Sequence, residues 1–134
     1  MKLNKNDILE TLKKYNLDPK EYIVISGAAL VLQDIKEYTS DIDIAVSGKL
    51  YNKLLKEYNC TFEKRVKNYD VWFIDNVLNF SKNYYKKTEY TELFDYKIQT
   101  INSVLKLKKN LNRLKDQEDA QFILNYYKTK GKIE

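Results

Sequence analysis

TSDIDIAVS, residues 39–47, places two carboxylates at alternate positions in an otherwise apolar run. Ile42, Ile44 and Val46 alternate with positions 41, 43 and 45, and β-branched Ile and Val dominate. That spacing predicts a strand with one face buried. Asp41 and Asp43 then share the other face, roughly 6.5 to 7 Å apart at a rise of about 3.3 Å per residue. Left alone they would mainly repel, whereas one cation within reach of both relieves the repulsion. Mg²⁺ takes oxygen ligands and keeps waters and substrate phosphates in its shell, which suits a pair of aspartates. The competing reading has Asp41 capping the turn begun at Thr39 and Ser40, with Asp43 facing water.

Composition narrows the chemistry further. A chain of 134 residues fits one domain with a real core, so residues 1–134 are expected to form a single unit. Histidine is absent, which excludes the usual zinc sites and His-based acid–base catalysis; a metal here has to be held by carboxylates. The single cysteine, Cys60, reads as a buried structural thiol with no histidine to activate it. No apolar stretch has the length of a signal peptide or membrane span, which predicts a cytoplasmic protein with no membrane partner. The net charge of +5 favours anionic partners such as nucleotides or nucleic acid. Richness in Lys, Asn, Ile and Tyr can generate such a charge by itself, so the positions of the lysines carry more weight than their number. The 12 tyrosines are spread over the whole chain, which reads as composition more than a base-stacking code, and Trp72 and Phe73 point to opposite faces of one strand, so one of the two is expected in the core.

Outward from the acidic strand, the pattern is helical on one side and extended on the other. DILETLKKY, residues 7–15, carries Ile8, Leu12 and Tyr15 at helical spacing after a cap at Asn6, and Asn16 ends it before Pro19. YIVIS, 22–26, reads as a central strand stopping at Gly27, and AALVLQ as a short helix. Ser47 is placed to cap a helix carrying Leu50, Leu54 and Leu55. TFEKRV, DVWFI, VLNF and a stretch near ELFDYKIQ read as strands, with a turn at Asp75 and Asn76. Helix returns from Thr100, and a last one near Asp116 is expected to use Phe122, Ile123 and Tyr126 as its apolar face. The fold class that results is α/β (α+β), a small mixed sheet flanked by helices.

ISGAALVLQDIKEYTSDIDIAV, 25–46, joins a strand ending in Ser26-Gly27, a helix start and an Asp-Ile-Asp strand. It resembles the polymerase-β-type nucleotidyltransferase superfamily, whose signature is a glycine turn followed by paired carboxylates. LKLKKNLNRLKDQEDAQFIL, 105–124, resembles the closing helices of small bacterial members, including those related to the AbiEii toxins. The resemblance implies a nucleotidyltransferase-like core with C-terminal helices. It also implies Mg²⁺-dependent transfer of a nucleoside monophosphate from an NTP to RNA, a protein or a small molecule. Ser26, Gly27 and Ala28 would shape the phosphate site, with Ala28 standing where the family usually has Gly or Ser. Asp41 and Asp43 would hold metal with a third carboxylate from a neighbouring strand; Asp70 is preferred over Asp75, and the two cannot both face the same side. Lys108, Arg113, Lys115 and Asp116 match a K-x-x-x-x-R-x-K-D spacing, in which Lys108 is assigned to phosphate and Arg113 either to phosphate or to pairing with an acid. The rival expectation is a non-catalytic binding module, partner of a toxin–antitoxin or phage-defence system. It becomes the better reading if neither Asp70 nor Asp75 approaches the pair.

Overall fold

Two short apolar runs make the centre of one sheet. In the computed structural model, which describes residues 2–83, 85–111 and 113–133, β1 (Tyr22–Ile25) and β2 (Ile42–Val46) pair antiparallel with Val24 opposite Ile44 and Ile25 opposite Asp43. Around them lie β3 (Thr61–Val66), β4 (Tyr69–Ile74), β5 (Leu78–Ser81), β6 (Tyr90–Leu93) and β7 (Tyr96–Gln99). The seven strands run in the order β3-β4-β5-β2-β1-β7-β6. The β2–β5 and β1–β7 pairs are parallel and the other four antiparallel, so the sheet is mixed as expected.

Alternation decides which side of this sheet is core. Ile42, Ile44 and Val46 are essentially inaccessible and pack with Tyr22, Val24, Leu78, Phe80 and Ile98 in one hydrophobic cluster. Asp43 faces the other way, beside Asn79 on β5. The helices complete the cluster: Ile8 and Leu12 from α1 (Lys5–Tyr15), Leu30 and Leu32 from α2 (Ser26–Leu32), Leu50 and Leu54 from α3 (Gly48–Glu57), Val104 from α4 (Ile101–Leu111) and Ile123 from α5 (Leu114–Ile133). Burial of a Leu or Ile side chain contributes about 1.5–3 kcal/mol, so this cluster is the main source of stability.

Local chemistry sets the ends of the elements. The cap of α1 falls at Asn4 rather than Asn6, because Asn4 and Asp7 bond each other's backbone N–H in a capping box. Asn16 closes α1 in the left-handed conformation, and the Ser47 hydroxyl accepts from Leu50 N–H at 3.1 Å to cap α3. ELFDYKIQ is a hairpin rather than one strand: Phe94 and Asp95 both have positive φ, 57° and 68°, the geometry of a tight two-residue turn. On α5 the buried face runs through Asp116, Asp119 and Ile123, while Phe122 is 47 % exposed, contrary to the face expected from the apolar residues alone.

Candidate functional site

Asp43 on β2 and Asp41 just before it open into one cavity of about 240 Å³. Ile25 and Ser26 border it on one side, Glu63, Lys64 and Val71 on another, and Lys108, Arg113 and Lys115 where α4 gives way to α5. The pair therefore faces basic side chains across a narrow space. Asn79 sits directly opposite Asp43 in the β2–β5 register, and its Nδ2 donates to Asp41 Oδ2 at 3.4 Å. Its Oδ1 is buried with no hydrogen-bond partner in a residue only 6 % exposed. A buried carbonyl oxygen without a donor costs on the order of 1–3 kcal/mol, so this atom is one that a cation would satisfy.

The acid pair is electrostatically strained. Asp43 keeps some contact with the cavity, but protein encloses its carboxyl on most sides, and the loss of hydration pushes its pKa up to about 6. The neighbouring Asp41 charge pushes the same way, while Lys115 and Lys108 pull it down. Two carboxylates and an amide oxygen are hard donors that suit a small divalent ion. Among the described residues no group of three or more His, Cys, Asp and Glu side chains is placed to hold a metal, so such an ion would complete its shell with Asn79, water or phosphate oxygens.

The glycine turn has a different basis from the one expected. Ser26 borders the cavity; Gly27 and Ala28 are buried behind it. A Cβ on Gly27 would lie 2.8 Å from Thr39 Oγ1, so packing against the residue that leads into the acidic strand requires glycine. Ser26 itself has φ 60°, and its N–H donates to Gln99 Oε1 at 2.9 Å.

Neither aspartate considered as third carboxylate joins the pair. Asp70 bonds Arg65 at 2.8 Å on the face of β4 turned away from Val71 and Phe73, the residues whose side of the strand meets Asn79. Asp75 is in the turn after β4 with φ 53° and accepts from the Tyr15 hydroxyl at 2.6 Å.

The C-terminal basic motif is an ion network. Lys108 is 2 % exposed, with Nζ 3.2 Å from Asp116 and 3.0 Å from Asp119; Lys36 reaches Asp119 at 2.7 Å. Arg113 grips Asp116 through Nε at 2.6 Å and Nη2 at 3.2 Å. Burial would raise the Asp116 pKa, but the bonds from Arg113 and Lys108 outweigh it and hold it at about 2. Asp116 and Asp119 thus fix the two cations at the cavity edge, and Asp116 also accepts from the Arg113 backbone N–H at 3.2 Å, at the head of α5. Their spacing with Ile123 on one helix face is the signal by which the sequence could have revealed them. No comparable sequence signal marks Glu63 or Asn79.

The arrangement defines a class: proteins that set paired carboxylates against fixed basic groups across one cavity. The family model described as "Nucleotidyltransferase of unknown function (DUF6036)" matches residues 3–119, and the chain belongs to that family. No curated protein and no solved structure matches the chain.

Proposed function

We propose that this single-domain protein transfers a nucleoside monophosphate from an NTP to an acceptor hydroxyl with Mg²⁺ held by Asp41, Asp43 and the Asn79 amide oxygen. The observation that carries the reading is the unpartnered, buried Asn79 Oδ1 beside two carboxylates in a cavity rimmed by Lys and Arg. Bound there, Mg²⁺ would neutralise the triphosphate and polarise the phosphorus under attack. Asp43 and Asp41 orient that charge. Lys115 and Arg113, both exposed at the rim, supply the counter-charge for the departing pyrophosphate, and Ser26 shapes the wall beside them. Lys108, between its two acids, acts by fixing the rim more than by meeting phosphate itself. RNA, a protein or a small molecule is the acceptor. Kinship to the AbiEii toxins, a place in a toxin–antitoxin or phage-defence system and a cytoplasmic setting belong to the same proposal.

One observation favours a second reading. Asn79 puts a neutral amide opposite Asp43, and Asp70 and Asp75 are engaged elsewhere, as in a nucleotide-binding module that does not turn over. Incubation with each α-labelled NTP, Mg²⁺ and cellular RNA, followed by separation of RNA, protein and small-molecule products, distinguishes the two. Label in any product supports transfer. Metal-dependent NTP binding without labelled product supports the module. The cation site is checked by calorimetry: Asp41→Asn and Asp43→Asn should each weaken metal-dependent NTP binding at least tenfold, and unchanged affinity in both would remove the assignment.

A further inference from the structure

Three acids line the cavity, and Glu63 has so far been given no part. It sits on β3, where the register with β4 steps from Phe62 opposite Trp72 to Lys64 opposite Val71. Glu63 is the extra residue of a β-bulge. Phe62 turns toward the core side and packs edge-on against Trp72, with ring centroids 5.6 Å apart. The bulge sets Glu63 and Lys64 in succession along the cavity wall, and the extra residue re-aims the side chains around it. Glu63 Oε2 is buried there with no hydrogen-bond partner, and its charge is felt by both Asp43 and Arg113. A bulge that delivers an unpartnered carboxylate to a cavity already holding an acid pair calls for a chemical reason.

We propose that Glu63 is the catalytic base of the site, taking the proton from the acceptor hydroxyl. The inference rests on the transfer reading above. β4 and β5 separate β3 from β2, and no group of three acids is placed around a metal among the described residues. Glu63 therefore serves the acceptor side and not the cation. In the step itself the acceptor oxygen forms a bond to the α-phosphorus and the bond from that phosphorus to the bridging oxygen breaks. Pyrophosphate leaves with the electron pair, and the acceptor proton passes to Glu63 and on to water. A base on β3 supplies the carboxylate that β4 and β5 do not bring to the pair.

The test uses the full chain with each α-labelled NTP and Mg²⁺, offering cellular RNA, the protein itself and water as acceptors. Calorimetry with Mg²⁺ and a non-transferable NTP analogue runs in parallel. Glu63→Gln should bind the analogue within about threefold of wild type and lose transfer by on the order of 100-fold or more. Glu63→Ala should regain part of its activity in high formate, which a merely structural role would not produce. Wild-type turnover in Glu63→Gln, equal losses of binding and transfer, or loss without formate rescue would each overturn the assignment. A wild-type protein that binds the analogue with Mg²⁺ but labels none of the three acceptors overturns the base and leaves the binding reading standing. If the analogue does not bind at all, the transfer reading falls with it.

Discussion

Ser26 holds a left-handed backbone that serine rarely adopts, and such residues cost of order 1–3 kcal/mol unless the surroundings fix them. Gln99 supplies the fixing through the Ser26 N–H, and Gln33 in turn ties the Gln99 carbonyl at 2.9 Å. Behind Ser26, a methyl on Gly27 would press into buried Thr39, two residues before Asp41. Gly27→Ala should therefore destabilise the protein by about 1–3 kcal/mol in urea denaturation, the usual cost of overpacking. The glycine was legible in the sequence, but its reason was not: a turn signal says nothing of which distant side chain lies against the missing Cβ. Asp41 and Asp43 were legible because strand alternation alone fixes their common face. Asp43 also predicts a pH response. Its folded pKa, about 6, lies above the ordinary carboxylate value, so its contribution to stability is full below about pH 4 and disappears as pH rises through 6. Without divalent ion, wild-type stability should fall relative to Asp43→Asn between pH 4.5 and 7.5. Parallel melting curves for the two proteins would contradict the raised pKa.

Elements carry the charge network and the bulge. Lys108 on α4 is enclosed by Asp116 and Asp119 on α5, which Lys36 also grips, so one network ties the two C-terminal helices to the segment after α2. Removing one partner of a buried pair leaves uncompensated charge, and Lys108→Met should cost about 3–5 kcal/mol. Lys106→Met on the exposed face of the same helix should stay within about 0.5 kcal/mol; equal effects of the two substitutions would contradict the network's role. Asp116 has a folded pKa of about 2, below its unfolded value, so its contribution is present above about pH 4 and lost as pH falls toward 2. The acid limb of the stability curve should flatten in Asp116→Asn, as followed by circular dichroism. Helices α1 and α3 and most strands were legible because their periods and caps are local. Pairing register is not local, so Glu63 could not be recognised as a bulge residue until β4 lay beside β3. The same holds for Asp70: its face depends on which residues of β4 meet β5.

Across the whole molecule, the sheet order decides where the site lies. β2 is flanked by β1 and β5, which brings Ile25 and Ser26 to one side of Asp43 and Asn79 to the other. The net charge of +5 said less than its placement, since Lys108 is spent inside the ion network and Lys115 and Arg113 remain at the rim. Mixed topology could be anticipated from the order of helices and strands, but the parallel partners could not, because parallel pairing joins segments distant in the chain. That feature bears on how the protein acquires its shape. Val24 pairs with Ile98, and Ile44 with Phe80, so the central strands wait for segments made long after them. Closing such long loops precedes the contacts that reward closure, which slows folding and leaves the apolar β1 and β2 without their outer neighbours meanwhile. A fragment ending before β6 should retain the antiparallel β1–β2 pairing yet lack cooperative unfolding, and a sharp two-state transition in that fragment would contradict this order of assembly. A nascent chain of this design should depend on a holdase that shields those strands until Gln99 has emerged and can take the Ser26 N–H.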